Sequence, residues 1–377
     1  MEKISPNIDI KGGQEFITQQ FLHFYTERGY AYLPSASLLP DNDRSVLFTG
    51  ATITPLKKFI EQGVPSPGIC IVQKCLRTKR LDEMTDLSVI PDWTHYFTMC
   101  GILSAPGRVD EVSGEAYELL TNTLKIPQDD LLVEASSMDK DLSHYWHDNG
   151  IRIVENTWPE NYYRWKYGIP HVTGRGINFL ARSNQDSLYR DLGNMVSVEN
   201  DTGNVEAYEF GFGLESFLSR MHGLKKPMEA SLLSSVIPYK EGLQEKFIDV
   251  LMAAIVIFHQ GVEPGRGKQR HVLKKLIKGL SFLRRKMELD FEQIEDWCNK
   301  FEGVEFGSES YEEDLITGIK SYEQSLMKYV DYAKNQVHAH RLRDDVGDRL
   351  IDKLRREGGN LGILPIEIEE VINSVLI

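Results

Sequence analysis

The 377-residue sequence predicts an α+β chain, in which a sheet of strand hairpins flanked by helices is followed by an all-α helical domain. Three observations carry that expectation. Residues 69–77 (ICIVQKCLR) and 95–101 (HYFTMCG) are rich in β-branched and aromatic residues and are joined by a charged loop, the pattern of a strand that returns on itself. Residues 192–199 and 204–210 repeat that pattern around the turn NDTG. From about Lys240 long helical periodicities follow one another to the end with few strand signals. The interruptions KKP and IPYKEG within 225–241 separate the two characters, giving expected domains 1–235 and 236–377.

The elements follow in order. Residues 15–28 carry Phe16, Ile17, Phe21, Leu22 and Phe24 or Tyr25 near helical spacing and stop at Gly29, so the chain opens on an amphipathic helix. After an extended piece and the turn PDND come a strand-like 45–50 (SVLFTG) and a short helix over 54–61. Beyond the first hairpin, Val112, Ala116, Leu119, Leu120 and Leu124 form the stripe of a helix over 109–124. A strand is expected at 131–135, a helix at 141–149 ended by Gly150, and a further strand at 151–155. Residues 158–182 read as irregular, with Arg164, Lys166, Arg175 and Arg182 in a stretch where ligand contacts tend to sit. After the second strand pair, Gly211 and Gly213 open a helix running to His222.

Composition narrows the classes. The longest nearly uncharged apolar run, 250–258, is far short of the roughly 20 residues a bilayer needs, and the first residues carry no apolar signal region, so a cytoplasmic protein without membrane contact is expected. A net charge of −13 disfavours general polyanion binding, although a local basic patch overrides the mean. Cys70, Cys75, Cys100 and Cys298 form no CxxC pair, and neither disulfide nor structural zinc is expected.

Two stretches carry chemistry. Arg77 at the end of one strand and an aromatic ring on the returning strand could pair a phosphate and stack a base, because a guanidinium binds phosphate bidentately and a ring face accepts a heterocycle; a merely solvated arginine is the other reading. Residues 264–286 carry Arg266, Lys268, Arg270, Lys274, Lys275, Lys278, Arg284, Arg285 and Lys286 with no acidic residue. On a helix Lys274, Lys278 and Arg285 share one face and Val272, Leu273, Leu276, Ile277, Leu280 and Leu283 the other, which suits either a nucleic-acid backbone or solvent. His144 with His147 and His338 with His340 lack a carboxylate or thiol cluster to complete a metal site. No Ser-His-Asp arrangement is legible from spacing.

The order of these segments resembles the N-terminal part of alanyl-tRNA synthetases, class II enzymes with an antiparallel active-site sheet. YLPSASLLPDNDRSVLFTGATITPLKKF is similar to the family's first motif region, QKCLR…HYFTMCGIL to its second, LGNMVSVEN to the strand facing the amino-acid site, and EFGFGLESFLSRMHG to its third motif. VLKKLIKGL, SYEQSLMKYVDYAKNQV and GILPIEIEEVI resemble parts of the tRNA-recognition domain, so the likeness spans about residues 14–375. It implies ATP and Mg²⁺ as cofactors, an amino acid as substrate, and tRNA or a carrier molecule as acceptor. It also implies roles for individual residues: Arg77 as the catalytic residue on the α-phosphate, with Phe97, Met99 and Arg220 completing the ATP site. Asn194, Glu209, Gly211 and Gly213 would form the amino-acid site. Arg266, Lys268, Arg270, Lys274, Lys275 and Lys278 would contact tRNA, and no metal is held by protein ligands alone. Nothing in these residues resembles the family's editing or C-terminal domains.

The departures bear on function. The third motif's arginine, which grips the γ-phosphate, is Ser216 here, a loss on the order of 2 to 4 kcal/mol of stabilisation unless Arg220, one turn along the helix, substitutes. Glu209 stands where the family has aspartate, and GIPHVTGRG replaces its Asp-Thr-Gly-Pro-Cys segment. Three functions follow: an ATP-dependent ligase that forms an aminoacyl-adenylate from alanine or another small amino acid; a non-catalytic paralogue binding tRNA or a partner protein; or an amide- or ester-forming ligase of specialised metabolism.

Overall fold

The computed structural model describes residues 9–40, 43, 45–183, 188–238, 240–307, 311–342 and 347–376. The chain forms two compact units, Met1–Thr78 with Pro91–Tyr239, and Lys79–Ile90 with Lys240–Ile377. The main passage between them falls inside the interruption at 225–241. That the short excursion 79–90 goes with the helical unit has no signal in the sequence.

In the first unit the elements are α1 (Ile10–Thr26), β1 (Ala31–Leu33), α2 (Ile53–Gln62), β2 (Gly68–Leu76), β3 (Tyr96–Ser104), α3 (Val109–Tyr117), β4 (Leu131–Ala135), α4 (Lys140–Asp148), β5 (Arg152–Glu155), β6 (Arg164–Lys166), β7 (Val172–Ala181), β8 (Arg190–Asn200), β9 (Val205–Gly213), α5 (Leu214–Met221) and α6 (Leu232–Val236). The strands make one sheet in the order β1-β2-β3-β9-β8-β7-β4-β5, with β6 on β7. Pairings from β2 through β4 are antiparallel, and only β1 and β5 join in parallel at the edges. One sheet face carries the core: Met195, Phe179, Phe210 and Phe212 meet Phe21 and Tyr25 of α1, Val112 and Ala116 of α3, and Trp146 of α4. Each such buried ring contributes about 2 kcal/mol of transfer free energy. Alternation along the strands leaves the opposite face for Glu209, Gly211, Asn194 and Met99, and α2 covers part of that face through Ile53, Leu56 and Ile60.

Four expectations are corrected. Residues 158–182 are not irregular: they contain β6 and the ten-residue β7, a central strand. Its glycines hid it, and they are there because the sheet is tight; a Cβ at Gly176 would lie 2.4 Å from the Met195 carbonyl oxygen. Residues 45–50 form no strand, being tied by isolated bonds such as Thr49 N–H to the Leu38 carbonyl rather than by a ladder. Gly211 still belongs to β9, and only Gly213 caps α5. At the other end α1 starts before Glu15, because the Asp9 side chain accepts from Gly12 N–H at 2.8 Å and offsets two glycines in the first turn.

The second unit is helical: α7 (Leu243–Phe258), α8 (Lys268–Met287), α9 (Phe291–Glu305), α10 (Glu312–Arg341), α11 (Asp348–Asn360) and α12 (Pro365–Leu376). α7 is apolar nearly all round and buried throughout 245–258. Lys246, buried in its first turn, donates from Nζ to the Glu83 and Asp86 carbonyls at 2.7 and 2.6 Å, and Met84 seats against Gly279 of α8. Tyr329, Leu350, Leu354 and Ile372 bind α10, α11 and α12 into one cluster. Among the described residues no helix is long and apolar enough to cross a membrane.

Candidate active site

The strand register assembles the site. Met99 lies opposite Gly213 and Gly101 opposite Gly211 across β3 and β9, while Asn194 of β8 lies opposite Gly211 from the other side. The glycines keep the centre of this face low. A Cβ at Gly101 would come 2.6 Å from Thr52 Oγ1, so only glycine lets the N-cap of α2 rest on the sheet.

At the end of β2, Arg77 leaves the ladder with its backbone N–H bonded to the His95 carbonyl. Its side chain is held by neutral groups: Nε donates to the Gly50 carbonyl at 2.9 Å, Nη2 to Met99 Sδ at 3.8 Å, and the guanidinium carbon stands 4.8 Å from the centre of the Phe97 ring. Among the described residues it forms no ion pair, so its charge stays available to an anion. On β3 the Thr98 N–H lies beyond the end of β9, where no backbone acceptor follows. Glu215, on the first turn of α5, supplies one, both its oxygens accepting at 3.1 and 2.9 Å. This carboxylate is a structural part of the sheet.

Arg77, Phe97, Met99, Asn194, Gly211, Gly213 and Arg220 all line one cavity of about 500 Å³, within the range of small-molecule sites. Trp93, Arg190, Asp191, Ser216 and Lys225 line it too, and none of the last group except Ser216 was legible as a site residue; DWT before the returning strand and RDLGN at the start of β8 were the available signals. Arg220 is buried on α5 and donates from Nη1 to Ser219 Oγ. Asp191 opens on the cavity, yet burial pushes its pKa up, with Arg220 and Arg77 pulling it back and Glu134 adding to the rise.

Glu209 lies two residues before Gly211 on the same strand face but does not line the cavity. It is 6% exposed, accepts from the Tyr167 hydroxyl at 3.1 Å, and burial raises its pKa to about 7 against the pull of Tyr167 and Arg77. A buried carboxylate with one neutral donor favours a cationic group beside it.

The residues expected to contact tRNA lie in the helical unit. Arg266, Lys268, Arg270 and Lys274 are exposed. Much of the remaining basic stripe is engaged inside the unit: Lys275 pairs with Asp82 at 3.3 Å, Lys278 donates to the Gly362 carbonyl, Arg284 pairs with Glu323 at 2.8 Å, Arg285 binds Glu367, and Lys286 pairs with Glu370 at 2.7 Å. Arg270 bonds Glu263 at 3.1 Å. Among the described residues no cluster of three His, Cys, Asp or Glu side chains is placed to hold a metal ion.

Comparison with known proteins gives three findings. The profile of "tRNA synthetases class II (A)" matches residues 16–203. The chain is 26% identical over 311 residues to the alanine–tRNA ligase of Thermotoga maritima, covering 70% of this chain and 35% of that protein, and 27% identical over 316 residues to that of Onion yellows phytoplasma, covering 73% and 36%. It thus spans about a third of the length of the curated relatives it matches. Among solved structures, apo histidyl-tRNA synthetase of S. aureus aligns over 59% of this chain and 73% of its own at 12% identity and a TM-score of 0.37.

Proposed function

The chain belongs, as a distant member, to the class II tRNA synthetases of alanyl type, and from that premise we propose that it activates an amino acid with ATP and passes the acyl group to tRNA or another acceptor. The observation that supports this best is the unpaired Arg77 guanidinium over the Phe97 ring, in one cavity with Asn194 and the glycine floor. Adenine would lie against Phe97 and Met99. An oxygen of the amino-acid carboxylate attacks the α-phosphorus, the bond to the bridging oxygen breaks, and pyrophosphate leaves with the electron pair. Arg77 hydrogen-bonds the charge that grows on the α-phosphate, while Asn194 orients the amino acid and Glu209 receives its ammonium group. Arg190, Arg220 and Lys225 are the cations lining the cavity that would meet the far phosphates in place of an arginine at Ser216. Mg²⁺ bound to those phosphates would neutralise them further.

One observation favours the non-catalytic alternative: Asp191 stands among the cations that the phosphates would need. Amino-acid-dependent exchange of labelled pyrophosphate into ATP decides between them. Exchange with at least one amino acid is expected, and its absence across all of them rules the ligase out. On the acceptor side, the exposed Arg266, Lys268, Arg270 and Lys274 are the groups proposed to meet an RNA backbone.

A further inference from the structure

The apolar and the cationic lining of the cavity come from different parts of the chain. Trp93, Phe97 and Met99 stand on β3 or on the residues that lead into it, whereas Arg190, Arg220 and Lys225 come from the start of β8, from α5 and from the residues after α5. Such a division suits a ligand with a flat apolar end and an anionic tail. Trp93 stands outside the ladder, where the chain returns from the excursion 79–90 and before β3 begins at Tyr96. It is half-buried, and its one ring contact among the described residues is with His95, centroids 4.7 Å apart and planes at 62°. His95 is 3% exposed, and its carbonyl accepts from the Arg77 backbone N–H at 2.8 Å, so the ring that fixes the indole is itself fixed by the strand pair that carries Arg77. An edge-on contact of this kind covers only part of an indole, and Trp93 presents the rest to the cavity. A side chain of two torsions, already pinned by a neighbour, loses little freedom when a planar group settles on it.

Given the ligase reading above, on which this rests, we infer that Trp93 is a nucleotide-binding residue, its indole meeting the adenine as a second aromatic wall beside Phe97. Position along β3 favours the base over the amino acid as its partner. The pairing of β2 with β3 runs on to Arg77 and His95, and at about 3.3 Å per residue His95 lies about 20 Å along the strand from Gly101. The indole packed on His95 is therefore at the end away from the glycine floor and Asn194, where the amino acid is placed. Phe97 is only about 7 Å of strand from His95, so one purine reaches both Phe97 and the indole. Every base has a π face, and stacking on Trp93 strengthens binding of the base without choosing which base binds.

The test uses the whole protein and its intrinsic fluorescence. Of the five tryptophans, all within the described residues, only Trp93 lines the cavity. ATP and ADP should quench tryptophan emission, pyrophosphate should not, and the quench should vanish in Trp93→Phe. By titration calorimetry Trp93→Ala should weaken ATP binding about tenfold or more with pyrophosphate affinity unchanged, and Trp93→Phe should recover most of the loss. In pyrophosphate exchange Trp93→Ala then raises KM for ATP by a similar factor with kcat little changed. Nucleotide binding that follows this pattern without exchange by any amino acid keeps the Trp93 assignment and removes the ligase reading. Exchange by Trp93→Ala at the parental KM for ATP removes the Trp93 assignment and keeps the ligase reading. A quench that survives in Trp93→Phe, or a parent that binds no nucleotide, overturns the assignment.

Discussion

The molecule carries two concentrations of positive charge that differ in what holds them. On α8 the cations Lys275, Arg284, Arg285 and Lys286 are matched by carboxylates of their own unit. In the cavity Arg77 is positioned by a carbonyl, a sulfur and a ring, none of which cancels its charge. A cation held by acids is bound into the fold, and one held by neutral groups keeps its field for a ligand. The richer basic sequence is therefore the more structural of the two, and the lone strand-end arginine is the more chemical.

Breaking each side of this contrast should give opposite signatures. The largest effect is expected for Arg77→Ala: a loss of about a thousandfold or more in kcat/KM for pyrophosphate exchange, roughly 4 kcal/mol, with a melting temperature close to that of the parent. A matching collapse in stability would show that Arg77 is structural after all. Glu209 is the anionic counterpart, also held by a neutral donor. Its pKa is raised from 4.5 to about 7, so the folded state binds the extra proton between those values, and the stability tied to it is present below about pH 4.5 and lost as pH rises through about 7. Without substrate, Glu209→Gln should flatten that slope and be more stable than the parent at pH 8 by an amount on the order of 3 kcal/mol in urea unfolding. The same variant should also lose the gain in amino-acid affinity expected on raising pH through 7. Next comes Arg285→Ala, which leaves Glu367, 1% exposed at its side chain, without its cation and should cost about 2 to 3 kcal/mol in urea unfolding. Lys274→Glu, at an exposed position of the same helix, should change stability by less than about 0.5 kcal/mol while weakening any RNA binding measured at low salt.

The same contrast explains what the sequence disclosed. The hairpins were legible because β-branched and aromatic runs ending at Arg77 and at Gly101 have strand character whatever surrounds them. The apolar face of α8 was legible from its spacing, and Val272, Leu273, Leu276, Ile277, Leu280 and Leu283 are all buried. The partners of its cations were not, since Asp82, Glu323 and Glu367 lie far away in the chain and nothing local marks them. β7 was hidden because Gly174 and Gly176 lower strand propensity just where close packing demands them.

The excursion 79–90 has a further consequence, for how the polypeptide can be divided and in what sequence it matures. Because Lys246 finds its acceptors at Glu83 and Asp86, the helical unit is a discontinuous domain, closed by a segment encoded 160 or more residues upstream. A fragment starting at Lys240 would keep every helix yet leave a buried ammonium without acceptors and an empty slot at Gly279. During synthesis the helices emerge long after their lid has been made. Their completion waits on a long-range closure, with the slow kinetics that such loop entropy imposes.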